Sequence, residues 1–215
     1  EDLLRIKADP KYRKTPHPIY NVFGKSMDQE KAKTMIGIEA EKVILNFGLI
    51  RDYKGLDLLV ESAKYLKVEL NDFKILVVGE CYGNENDYLQ LAKKNDVLDV
   101  IDFRFEFVPH ESVNQYFCAA DLVVLPYKSA TQSGVVPIAY HFDKPVVVSN
   151  IGGLPEIVRN GETGFICEPD AKQFAEGIIK YYNSDPGRFS TFISEYKEQF
   201  SWEIYVKVLL ELIEL

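Results

Sequence analysis

Leu122-Val-Val-Leu-Pro-Tyr-Lys-Ser-Ala-Thr-Gln-Ser-Gly134 joins an apolar run to a polar, glycine-ended loop, and apolar spacing resumes at Val135. Four aliphatic residues closed by a proline read as a buried strand, and the spacing from Val135 to Phe142 predicts a short helix. A strand that ends in such a loop aims backbone N–H groups, and the positive end of the following helix, at the crevice above a sheet. Open α/β sheets bind phosphorylated ligands there.

The same alternation runs outward from this stretch in both directions. Val43–Phe47, Phe73–Val78, Val100–Phe107, Pro145–Val148 and Gly164–Cys167 read as further strands. Leu56–Leu66, Asn86–Asn95, Glu111–Ala120 and a single turn at Leu154–Val158 read as helices between them. Another helix, capped by Ser26 or Asp28 and stopped by Gly37, precedes the first strand. Ala171–Tyr182, Pro186–Gln199 and Trp202–Leu215 close the chain, with Trp202 expected to anchor the last helix by packing. Strands rich in Val, Ile and Leu, separated by helices, imply an α/β fold: a parallel sheet with helices on both faces.

Residues 1–27 break the pattern. Pro10, Pro16 and Pro18, the basic stretch Lys11–Lys14 and the aromatic run Tyr20–Phe23 suggest a linker or arm that packs on something else. The domain proper then spans residues 28–199, and residues 200–215 form a terminal helix.

At 215 residues the chain holds one large domain. A 47% hydrophobic and 27% charged composition is that of a soluble globular protein. No run approaches the ~18 apolar residues that cross a membrane, and the acidic start lacks the form of a signal peptide. A net charge of −8 speaks against nucleic acid as a partner, which calls for a basic surface. Cys81, Cys118 and Cys167 lack metal-ligand spacing and read as reduced thiols of a cytoplasmic protein, the last two as core residues.

Three loops carry the candidate chemistry. Gly48-Leu-Ile-Arg-Asp-Tyr-Lys-Gly55 follows a strand and brings two cations, Arg51 and Lys54, to the same crevice. An arginine can grip a diphosphate with two parallel hydrogen bonds, a lysine adds a point charge, and a glycine lets backbone approach phosphate closely. Thr131, Gln132, Ser133 and Gly134 offer hydroxyls, an amide and bare backbone to a phosphate or a sugar. Ser149-Asn-Ile-Gly-Gly-Leu-Pro-Glu156 places Gly152, Gly153 and Glu156 after another strand. Each loop also has a plainer reading, as a tight turn with solvated cations, an N-cap, or a Gly-Gly turn, and the residues alone leave both open. Glu80 ends a strand and can reach a ligand or stay solvated. His110 reads as a cap-region residue. No Ser-His-Asp, Cys-His or G-x-x-x-x-G-K-[ST] arrangement appears, and no metal set is found.

Taken together, Phe47-Gly-Leu-Ile-Arg-Asp-Tyr-Lys-Gly-Leu-Asp-Leu-Leu59, Ala119-Ala-Asp-Leu-Val-Val-Leu-Pro126, Lys144-Pro-Val-Val-Val148 and Gly152-Gly-Leu-Pro-Glu-Ile-Val-Arg-Asn-Gly-Glu-Thr-Gly-Phe165 resemble, in order and spacing, the C-terminal half of a group 1 (family 4) glycosyltransferase of the GT-B type. The likeness runs from about Tyr20 to the C-terminus. It implies a Rossmann-like domain that binds a nucleotide-diphosphate sugar. An N-terminal half absent here would hold a glycan or lipid-linked acceptor and could receive the helix over 200–215, and no metal or other cofactor would be needed. Lys54 matches the family's phosphate-binding lysine, and Gly152 and Gly153 match its glycine pair near the donor. The family's arginine falls on Leu49, which makes Arg51 the substitute. Its two glutamates, eight positions apart, fall on Ala130 and Ile138.

The resemblance therefore implies a retaining hexosyl transfer with a variant donor site, in the cytoplasm or at a membrane periphery, and an isolated domain inactive by itself. A non-catalytic binding module and a GT-B nucleotide-sugar epimerase are the alternatives. No catalytic residue is assigned.

Overall fold

The structure, a computed structural model, describes Thr15 and residues 17–213. The basic stretch Lys11–Lys14, Pro10, Pro16 and the last two residues lie outside the described residues. Six strands form the sheet: β1 (Lys42–Phe47), β2 (Phe73–Val78), β3 (Ile101–Arg104), β4 (Leu122–Leu125), β5 (Val146–Ser149) and β6 (Gly164–Cys167). All pairings are parallel, in the order β3-β2-β1-β4-β5-β6.

Helices connect them: α1 (Gln29–Ile36), α2 (Leu56–Glu69), α3 (Glu85–Lys94), α4 (Val113–Ala119), α5 (Val135–His141), α6 (Leu154–Ile157) and α7 (Ala171–Tyr182). Two more, α8 (Pro186–Tyr196) and α9 (Trp202–Ile213), close the chain. α2 packs beside α3 and α7, and α1 beside α4, giving a Rossmann-like parallel sheet covered by helices. The strands read as apolar runs because both their faces are covered: β4 and β5 are buried throughout.

The strand order reverses direction between β1 and β4, and this topological switch positions the site. Connections from the two neighbours leave to opposite sides there, so the carboxyl ends of β1 and β4 splay into a crevice. Regular pairing between them spans only Ile44↔Leu122 and Leu45↔Val123. Beyond it the buried Asn46 side chain donates to the Val124 carbonyl at 2.9 Å, bridging the strands as they part.

At the opposite end of the sheet, Asp121 ties four elements together. Its carboxylate accepts from Gln29 Nε2 at 2.8 Å, Val43 N at 2.7 Å and the Tyr182 hydroxyl at 3.1 Å. Its carbonyl accepts from the Tyr181 hydroxyl at 3.2 Å. Asp28 caps α1 by accepting from Lys31 N, and Gly37 ends it in the left-handed region, as the cap pattern predicts.

Several sequence expectations change. The strand expected over Val100–Phe107 pairs only from Ile101 to Arg104: Val100 belongs to a 3-10 turn and Phe107 is largely exposed. β3 is an edge strand with one neighbour, so once β2 ends at Val78 nothing holds the later residues extended. The helix expected from Glu111 begins as a 3-10 turn over His110–Ser112, and the one expected to reach Gln199 becomes a 3-10 turn after Tyr196. Trp202 does not anchor the final helix: it is 47% exposed, and α9 has no buried residue.

The described part of the arm lies on this domain. Ile19 N donates to Phe200 O at 2.9 Å, the Phe23 ring stacks on His110 at 5.4 Å, and His141 Nε2 sits 3.0 Å from the Gly24 carbonyl. Cys118 and Cys167 are buried as expected, and burial pushes the Cys167 thiol up to about 11. Among the described residues no helix is long and apolar enough to cross a membrane.

Candidate functional site

The loop after β1 tightens into a 3-10 turn, Asp52–Lys54, ended by Gly55 at φ +66°. Only glycine fits there twice over. The backbone is left-handed, and a Cβ would stand 1.9 Å from the Pro126 carbonyl. That contact locks the loop after β1 against the loop after β4. Lys128 N, donating to Tyr53 O at 2.7 Å, and the ion pair of Lys128 with Asp57 at 2.6 Å reinforce it.

Inside this junction Lys54 folds back over Gly48. Its Nζ is 3.4 Å from where a Cβ on Gly48 would stand, and Val135, the first residue of α5, is at 3.6 Å from the same point. Gly48, Lys54 and the start of α5 therefore share one small cradle between β1 and β4. Burial, and next the nearby Arg51 charge, hold the Lys54 ammonium below its ordinary value of 10.5. The ammonium lies 5.6 Å from the centroid of the buried Tyr127 ring. Arg51 is exposed, and its guanidinium lies 4.7 Å from the Tyr82 ring centroid. Among the described residues neither cation has a carboxylate in salt-bridge reach, whereas Arg104, Lys128 and Lys197 each do. Aromatic faces place these two charges and leave their N–H donors for something else.

The loop after β4 divides its work. The Ser133 hydroxyl accepts from Val135 N at 3.2 Å and lies 3.3 Å from the Tyr127 hydroxyl, so it ties the loop to the head of α5, whose N-cap, Gly134, supplies no capping side chain. Gly134 has an ordinary φ of −70°, and a Cβ there would meet nothing, so that position opens onto free space. α5 is only seven residues long and one of its first amides is spent on Ser133, so the positive potential here comes mainly from Lys54 and Arg51.

Gly152 and Gly153 do permit a close approach, and the partner is another loop. A Cβ on Gly152 would stand 1.6 Å from the Ala130 carbonyl, and one on Gly153 would stand 2.3 Å from the Thr131 carbonyl. Gly153 N donates to Thr131 O at 3.0 Å. The glycine pair thus sets the height of the Thr131–Ser133 loop. Beneath it, buried Thr163 meets the Tyr140 hydroxyl at 2.8 Å and accepts from Arg159 N at 2.9 Å, so the Glu162–Gly164 turn is a support as well.

Gln132, Ser133, Gly153 and Glu156 converge on a cavity of about 560 Å³, closed on its other side by Tyr196, Phe200 and Ile204. The cavity and the cradle flank the Ser133–Val135 segment. Glu80 is exposed on the loop after β2, where its carbonyl accepts from Ile50 N at 2.9 Å. Position 138 is filled by a buried isoleucine, and Ala130 presents its carbonyl to Gly152, so neither offers a carboxylate. Sequence reasoning missed Tyr82 and Tyr127, the ring partners of the two cations. Their only signal was an aromatic residue in each of two strand-end loops. Among the described residues no three His, Cys, Asp or Glu side chains gather as a metal site.

Residues 28–200 match the family described as glycosyl transferases group 1. The chain is 29% identical over 194 residues to a D-inositol 3-phosphate glycosyltransferase of Rhodococcus jostii, covering 86% of this chain and 43% of that protein. It spans less than half the length of that relative. Among solved structures, it is similar to the C-terminal domain of a group 1 family glycosyl transferase (LpcC) from Francisella tularensis. That match has a TM-score of 0.72 at 20% identity, over 81% of this chain and 93% of the other. Anabaena HepE, solved in complex with UDP, matches with a TM-score of 0.76 at 23% identity over 92% of this chain and 57% of its own.

Proposed function

This chain belongs to the group 1 glycosyl transferases, and from that premise we propose that it is a donor-binding domain of a retaining, family 4 enzyme. It takes a nucleotide-diphosphate sugar at the β1/β4 crevice, and the sugar passes to a glycan or lipid-linked acceptor held by a second half. The observation that carries this reading is the cradle: Lys54 over Gly48, with Arg51 beside it, both placed by aromatic rings and neither neutralised by a carboxylate among the described residues. Anabaena HepE, which shares the fold, was solved with UDP.

In this scheme the diphosphate lies on Gly48, Lys54 and Gly134, with Arg51 gripping it from the solvent side. Breaking the glycosidic bond leaves negative charge on that diphosphate, and fixed cations at the point where charge develops lower the barrier. They take the place that a metal or other cofactor fills elsewhere. The sugar projects past Ser133 into the cavity lined by Gln132, Gly153 and Glu156. Glu80 stands near the nucleotide, and the base rests near the stacked Phe103 and Phe105 rings, 5.3 Å apart. The protein works in the cytoplasm, at a membrane periphery where its acceptor is lipid-linked, and serves polysaccharide or glycoconjugate assembly. α9 supports the two-half arrangement. Its charges Glu203, Lys207 and Glu211 form one stripe, and Ile204, Val206, Leu209, Leu210 and Ile213 are exposed around the rest. Such a helix is built for burial against protein, here the acceptor-binding half, without which this domain is inactive.

Calorimetric titration with UDP, GDP, ADP and their sugars tests the proposal. Binding of one nucleotide, lost in Lys54→Ala, supports it; equal binding by the variant rejects the role of Lys54. A non-catalytic module is the second reading, favoured by the carboxylate-free positions Ala130 and Ile138. Product analysis with the two-half protein separates transferase from module and from epimerase.

A further inference from the structure

We infer that Tyr82 is a positioning residue for Arg51, part of a pair that restores the guanidinium this chain lacks at position 49. The inference rests on the nucleotide-diphosphate reading of the crevice. Position 49 carries a leucine, and Arg51 is two residues further on, on extended backbone at φ −142° and ψ 152°. An exposed arginine on extended chain sweeps a wide volume and must give up that freedom to hold an anion. Two hydrogen bonds limit the sweep. Ile50 forms a parallel bridge with Cys81: its N–H donates to Glu80 O at 2.9 Å, and its carbonyl accepts from Tyr82 N at 3.0 Å. Those bonds register the residue before Arg51 against the residue before Tyr82. The Tyr82 ring is thereby set 4.7 Å from the guanidinium carbon.

A ring does for Arg51 what a carboxylate could not. It attracts the cation through its face without occupying the planar fork of N–H donors, which stays free for two phosphate oxygens. It also adds no negative charge to a site that must attract an anion. Tyr127 stands in the same relation to Lys54 from the other loop. Tyr82 is 58% exposed, so its packing contributes little to the fold, and truncation removes the support without unfolding the domain.

Calorimetry with UDP, GDP or ADP, whichever the chain binds, tests this in a double-mutant cycle. Tyr82→Ala should weaken binding about two- to fivefold, the scale of a cation–π contact at an exposed site, with an unchanged melting temperature. Tyr82→Phe should keep wild-type affinity, since the ring and not the hydroxyl faces Arg51. Tyr82→Ala combined with Arg51→Ala should bind no more weakly than Arg51→Ala alone. Wild-type affinity in Tyr82→Ala beside a weakened Arg51→Ala would overturn the role of Tyr82 and leave the diphosphate site standing. So would losses that add in the double variant. Wild-type affinity in Arg51→Ala, or binding of none of the three nucleotides, would overturn the pair together with the reading beneath it.

Discussion

The two ends of β4 answer the same electrostatic problem in opposite ways. At its start, Asp121 spends its carboxylate on Gln29, Val43 and Tyr182 and its carbonyl on Tyr181. At its finish, the loop from Pro126 to Gly134 borders two cations that meet ring faces and, among the described residues, no carboxylate. A fold pairs its partly buried polar groups because leaving them unpaired is costly. Cations held by ring faces, with their donors open, are the arrangement that the proposed diphosphate site calls for.

The contrast can be broken hardest at the saturated end. Asp121→Ala strips an acceptor from three donors at once and should lower unfolding free energy by about 3 kcal/mol, read by thermal or denaturant melting. An undiminished melting point would show that the network is ornamental. At the unsaturated end the sign of the effect separates. Lys54→Ala should weaken nucleotide binding by about 1–3 kcal/mol while leaving stability unchanged or slightly raised, because a charge kept partly out of water is removed. A large stability loss would place Lys54 with Asp121 and erase the distinction.

Protonation sharpens the same point. Burial and then Arg51 depress Lys54 below 10.5 in the free protein, and a bound diphosphate counters both by favouring the charged form. Binding should therefore take up a proton between the depressed value and 10.5, and affinity should fall as pH rises through that window. Titrations in buffers of different ionisation enthalpy measure the uptake, which Lys54→Ala should abolish. The smallest effect belongs to Trp202→Ser, which should shift the stability of this chain by under about 0.5 kcal/mol, since that side chain is half exposed.

The sheet was legible in the residues to a degree the site was not. β2, β4 and β6 match the strands read from sequence: β4 is buried throughout and must be apolar, and a glycine or proline stands at one end of each of the three. β3 was read too long because apolar alternation marks residues that suit a strand, and only the end of its neighbour at Val78 determines where pairing stops. Trp202 was misplaced for a related reason. An apolar helix face states that it suits burial, and nothing local says whether this domain covers it.

In the site, Lys54 and Gly48 were found together because the turn that joins them is seven residues long. The partners of Gly152 and Gly153, two carbonyls on the loop after β4, and the rings behind Arg51 and Lys54 were not. Those contacts join separate connections of the sheet, and their local sequence is equally suited to a plain turn.

The strand order has a kinetic side as well. The β1–β4 seam joins partners 78 residues apart, such as Asn46 and Val124. At about 5–20 residues per second, a ribosome needs roughly 4–16 s to traverse that interval. Through it, β1, β2 and β3 can already pair, with one flank of β1 unpaired. An exposed aliphatic edge is a template for any passing strand. The Asn46 amide follows Val43, Ile44 and Leu45 on that strand, and its hydrogen bond to the Val124 carbonyl forms only when β4 arrives. Pairing with β4 closes that edge, so the same strand order that opens the crevice also sets how long β1 waits with one side bare.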